Sequence, residues 1–121
     1  MTIITQIVEE ADSPQARSDM ARSLFKLAAI KAELGETDQA KEDYERSIAI
    51  GEGLVETTEI PKYSRNLANV YYYYASFCCD RNDLMTAKNI FQRLAELGKR
   101  SDVPRVQELA AKAEKVLKER F

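Results

Sequence analysis

Apolar residues recur along this chain at intervals of three and four, the period of helices with one covered face, and a few punctuation residues interrupt the runs. Ser13-Pro14 places an N-cap residue before a proline at the first helical position, and Gly35 ends that run. Between them Ala21, Leu24, Leu27, Ala28 and Ile30 or Lys31 trace one stripe. Thr37 is the expected N-cap of a second helix, with Ala40, Tyr44, Ile48 and Leu54 or Val55 on one side. Glu59-Ile60-Pro61 breaks the chain, and a third helix runs through NLANVYYYYASFCCD, residues 66–80, to about Arg81. Asn82-Asp83 caps a helix carrying Leu84, Ala87, Phe91, Leu94 and Ala95, expected to stop at Gly98. Ser101-Asp102-Val103-Pro104 opens the last helix, whose Val106, Leu109, Ala110, Ala113, Val116 and Leu117 recur at helical spacing. With a shorter helix over about Ile3–Ala11, the pattern predicts an all-α chain of about six helices, broken near residues 12, 36, 59, 82 and 100.

The punctuation itself repeats. Pro14 and Pro61 stand 47 positions apart, and the same shift superposes Ala21 on Ala68, Ala28 on Ala75 and Ala40 on Ala87 without a gap. It also brings Tyr44 onto Phe91, Arg46 onto Arg93 and Gly51 onto Gly98. Alanines alone coincide easily in a helical protein. Agreement of both prolines, the aromatic and the glycine in one register points to two helical-hairpin repeats flanked by a half-repeat at each end.

At these residues the chain resembles the tetratricopeptide repeat family, whose first helix carries large, Leu, small and large positions and whose second carries a small residue four before an aromatic. The first copy reads Leu24, Leu27, Ala28, Lys31, then Gly35, Ala40 and Tyr44; the second reads Tyr71, Tyr74, Ala75, Cys78, then Ala87 and Phe91. Alanine suits positions where two helix backbones approach closely, and the aromatic one turn later fills the space it leaves. The resemblance implies a right-handed α-α superhelix of antiparallel helical hairpins. It divides the single domain into a half-repeat 1–12, repeats 13–58 and 59–100, and a capping helix 101–121. This chain departs from the family in its spacing of 47 rather than roughly 34, in lacking tryptophan and in placing Lys31 where an aromatic is usual. A plain antiparallel bundle with internal similarity is the other architecture compatible with the pattern.

Composition narrows the chemistry. A net charge of −2 and a pI near 5.3 lack the basic footprint of a nucleic-acid binder. There is no histidine, so the usual Ser-His or Cys-His nucleophilic pair and the commonest metal ligand are both missing. Cys78 and Cys79 are adjacent, a spacing that makes neither a CxxC motif nor an unstrained disulfide, and they read as reduced thiols of a cytoplasmic protein. No run approaches the roughly 18 apolar residues of a membrane span, and MTIITQIVEEAD lacks a basic signal-peptide start. On the last helix Lys112, Lys115, Lys118 and Arg120 interleave with Glu108, Glu114 and Glu119, so ion pairs at helical spacing are expected there. The expectation is a non-enzyme with no cofactor, bound to neither nucleic acid nor membrane.

Four consecutive tyrosines, spaced about 100° apart around a helix, cannot all face one core. The repeat register assigns Tyr71 and Tyr74 to the stripe facing the partner helix, Tyr72 to the position of Phe25 and Tyr73 to that of Lys26. In tetratricopeptide proteins the first helix of each pair lines a concave groove that holds a protein or peptide. The resemblance therefore implies a groove of Arg22, Phe25, Ala29, Asn69, Tyr72 and Ser76, with Lys26 and Tyr73 at its margin. Such a groove suits an apolar or aromatic anchor, with Arg22 and Lys26 attracting acidic residues. Two alternatives stand beside it: Phe25 and Tyr72 pack between neighbouring repeats, or the module self-associates as a homo-oligomer or scaffold segment of a larger protein through exposed end helices.

Overall fold

The structure, a computed structural model, describes residues 13–121. The described residues form five α-helices and no strand: α1 (Pro14–Glu33), α2 (Thr37–Thr57), α3 (Pro61–Asp80), α4 (Leu84–Arg100) and α5 (Pro104–Arg120). The sixth helix expected over residues 3–11, and the break near 12, lie outside them. The chain divides between Thr58 and Glu59 into two compact units. In the first, α1 packs on α2; in the second, α3, α4 and α5 each pack on the other two.

The 47-residue register is carried by the helix ends. The starts of α1 and α2 recur at those of α3 and α4, and the end of α1 recurs at that of α3. Pro14 and Pro61 both occupy the first helical turn, where the missing N–H costs nothing. At the start of α1, Ser13 Oγ accepts a hydrogen bond from the Ala16 N–H at 3.1 Å, as an N-cap should.

Both hairpins turn by one device. In the first, Gly35 has φ 80°, its N–H donates to the Ala32 carbonyl at 3.2 Å, and the Glu36 N–H donates to the Lys31 carbonyl at 2.9 Å. In the second, Asn82 has φ 63°, its N–H donates to the Cys79 carbonyl at 3.0 Å, and the Asp83 N–H donates to the Cys78 carbonyl at 2.8 Å. This is the Schellman pattern, which satisfies the last carbonyls of a helix through a left-handed residue that only Gly or Asn adopts readily. The turn is so short that its last residue also begins the next helix. Glu36 therefore takes the N-cap position expected for Thr37, which becomes the first residue of α2. Asp83 does the same before α4 and also accepts from the Thr86 N–H at 3.4 Å.

The core follows the stripes with specific corrections. Ala21, Leu24 and Ala28 of α1 are buried, as are Ala40, Tyr44, Ile48 and Leu54 of α2. Leu27, expected on the stripe, is exposed instead; it lies about 100° from Ala28 around the helix, off the side that α2 covers. Of the Ile30-or-Lys31 pair it is Lys31 that turns inward, while Ile30 is exposed. In the second unit Ala87, Phe91, Leu94 and Ala95 are buried with Ile90 and Leu97, but Leu84, at the helix start, is exposed. Val106, Leu109, Ala110 and Ala113 of α5 are buried, and Val116 and Leu117 half-buried.

Gly98 does not end a helix, because α4 continues to Arg100. A Cβ at Gly98 would overlap the Cβ of Ala110, so this glycine lets α4 and α5 approach closely.

Candidate functional site

The expected groove residues fall into two sets, one in each unit. On α1, Arg22 and Lys26 are exposed while Phe25 and Ala29 are half-buried. The Phe25 ring leans on Tyr44 of α2, with centroids 6.1 Å apart and planes tilted by 47°. On α3, Arg65, Asn69, Tyr72 and Ser76 follow at alternating steps of four and three, which places them on one face. Arg65 is exposed and the other three half-buried.

Tyr72 packs on Phe91 edge-on, with centroids 6.4 Å apart. This contact is the register equivalent of Phe25 on Tyr44, so each aromatic rests within its own hairpin and keeps part of its surface open.

The tyrosine run partitions as the register requires. Tyr71 and Tyr74 are buried, Tyr72 is intermediate and Tyr73 is 52% exposed. Tyr74 stacks on Phe77 at 6.3 Å, and Tyr73 meets Tyr72 edge-on at 6.2 Å. Adjacent residues on a helix diverge by about 100°, so two tyrosines serve the core and the other two form an aromatic ledge.

Residues of α5 complete this ledge, and spacing within α3 could not have identified them. The Arg105 Nε donates to Asn69 Oδ1 at 3.4 Å, and Lys112 Nζ stands 5.8 Å from the Tyr72 ring centroid, over its face. Glu108 lies between them, accepting from Arg105 at 3.1 Å and pairing with Lys112 at 3.8 Å. Of the ion pairs expected on the last helix, Lys112 with Glu108 is formed, and Arg105, not among the residues expected, adds a second pair to the same carboxylate. Arg105 and Lys112 thus bring two cations, sharing the carboxylate of Glu108, against Asn69 and Tyr72. The only signal available in the sequence was the charge of Arg105 and Lys112 on a helix whose opposite side is apolar.

Elsewhere the chemistry is sparse. Cys78 is buried and Cys79 half-buried, and neither forms a disulfide. Among the described residues no group of three or more Cys, Asp or Glu side chains could hold a metal ion. A shallow cleft lined by Ala111, Glu114, Lys115, Leu117 and Lys118 lies along α5 and includes none of the expected site residues. No helix among the described residues is long and apolar enough to cross a membrane. Compared with known proteins, the chain matches no family model, no curated protein and no solved structure.

Proposed function

We infer that this chain is a non-catalytic, tetratricopeptide-like helical-repeat module that binds a protein or peptide segment. The observation that carries the reading is the ledge of the second unit: Tyr72 and Tyr73 partly open on α3, with Asn69 beside them and Arg105 and Lys112 along one edge. Aromatic side chains with their rotamers already restrained by packing lose little entropy when a ligand covers them. The excess of cations over carboxylates selects acidic residues in the segment bound, while the tyrosines take an apolar or aromatic anchor. Arg22, Phe25, Lys26 and Ala29 offer the same combination on the first unit, with two cations beside a half-open ring. Self-association is the second reading, favoured by an apolar face on α1 that is taken up below.

The test is a selection of displayed peptides on the full chain. Enriched sequences should combine acidic residues with an apolar or aromatic anchor. Replacing Tyr72 by alanine should weaken the best of them by about 2 kcal/mol, the effect of a binding hot spot. Peptides without charge bias, or binding indifferent to Tyr72 and Tyr73, would remove the ledge as the site.

A further inference from the structure

Beyond the ledge, α1 carries an apolar seam that the described structure leaves open. Met20, Leu27, Ile30 and the capping Leu34 are 53%, 46%, 54% and 69% exposed, and with exposed Ser23 they follow steps of three, four, three and four. That is the a and d spacing of a helix-pairing seam. Its centre lies about 140° from Ala29 around the helix, so its apolar residues are off the face assigned to peptide binding, and Lys26 alone flanks both. The register comparison shows what this face is suited to. The equivalents of Met20, Ser23, Leu27 and Ile30 on α3 are Leu67, Val70, Tyr74 and Phe77, all four buried, while that of Leu34 is the exposed Arg81. The repeat therefore treats this side of its first helix as a packing surface.

We propose that the seam of α1 pairs, antiparallel, with the same seam of a second copy of this chain. A two-fold interface must be complementary to itself, and this one is. With Leu27 of one helix level with Ile30 of the other, Leu34 lies against Ser23 and close to Met20. The same alignment brings Lys26 of each copy alongside Glu33 of the other. Both are exposed and neither makes an ion pair within the described residues, so the pairing supplies partners for two unpaired charges at flanking positions, where charges set helix orientation and register. Leu24 and Lys31, on the other flank, face the hairpin instead: Leu24 is buried and Lys31 is paired with Asp43. One helix thus packs in its own hairpin on one side and with its copy on another.

Sedimentation of the full chain across concentrations tests this directly. The expected result is a monomer–dimer equilibrium, with Leu27→Glu and Ile30→Glu each monomeric while circular dichroism shows the helices intact. Lys26→Glu should weaken the dimer about tenfold, because it sets like charges against each other twice. Lys26→Glu/Glu33→Lys should restore it, since the exchange recreates both pairs only in the antiparallel alignment. A wild-type chain that stays monomeric at about 100 µM overturns the proposal. If Leu27→Glu then lowers the melting temperature, the seam is covered by the chain itself; if not, it is bare. Dimerisation unaffected by the glutamate substitutions, or a double variant no better than Lys26→Glu alone, would also overturn it.

Discussion

The α1–α2 and α3–α4 hairpins have the same frame and different fillings. The frame is the pair of prolines, the Gly35 and Asn82 turns, and the alanines at 21, 28, 40 and their counterparts at 68, 75 and 87, nearly all of them fully buried. Within it the first hairpin uses polar ties. Lys31 Nζ meets Asp43 Oδ2 at 2.7 Å with the carboxylate nearly buried, and Ser47 Oγ donates to the Ala21 carbonyl at 2.7 Å. The second hairpin places Cys78, Ile90 and Leu94 at these three positions, all buried. A further contrast lies on the side away from α2: Met20, Leu27 and Ile30 are exposed, whereas Leu67, Tyr74 and Phe77 are not. The alanines are constrained by close backbone approach, and the turn residues by a left-handed φ that Gly and Asn both accept. The positions between them only need to fill space or satisfy their own polar atoms, and two chemistries do so.

Three measurements can break or sharpen this contrast. The largest effect is expected at the paired positions 74 and 27. Tyr74, 1% exposed, should cost about 3–5 kcal/mol when replaced by alanine, a large share of a small domain's roughly 5–15 kcal/mol. Leu27→Ala should cost under about 1 kcal/mol in dilute solution, as surface truncations do. Denaturant melts yielding similar losses at both sites would show that the two faces are covered alike.

A middle-sized effect is expected at the polar tie. Lys31→Cys leaves the buried Asp43 carboxylate without its cation and should destabilise by about 1–3 kcal/mol, the cost of an unsatisfied buried polar group. Adding Asp43→Ile imports the second hairpin's pair, and urea unfolding of the double variant should return to within about 1 kcal/mol of the parent, because a packed apolar pair commonly replaces an ion pair without loss. A double variant weaker than the single would mean that the tie specifies the first hairpin in a way apolar packing cannot.

The smallest contrast concerns the turns. Gly35→Ala forces a Cβ into the left-handed region at about 1–2 kcal/mol. Asn82→Gly, at the equivalent residue, should change thermal stability by only about 0.5 kcal/mol or less, since both residues accept that conformation. Equal sensitivity of the two sites would contradict the shared turn.

The helix ends were legible in the sequence because their causes are local. A proline at the first turn, a serine before it, and a Gly or Asn after the last turn act through bonds spanning at most five residues, so Pro14, Pro61, Ser13 and Gly35 could be read directly. The 47-residue register was legible for the same reason, being a comparison of such signals. The split of the tyrosines followed once that register was combined with the helical period. Other features depended on residues far apart along the chain. Arg105 reaches Asn69 across 36 positions, and Gly98 is small because Ala110 of another helix stands against it. Leu27 carries the same hydrophobic signal as Leu24, yet one is exposed and the other buried, because only one of them points at α2. Hydrophobicity is a property of a side chain, but burial is a property of what lies opposite it, and that is set by the packing of whole helices.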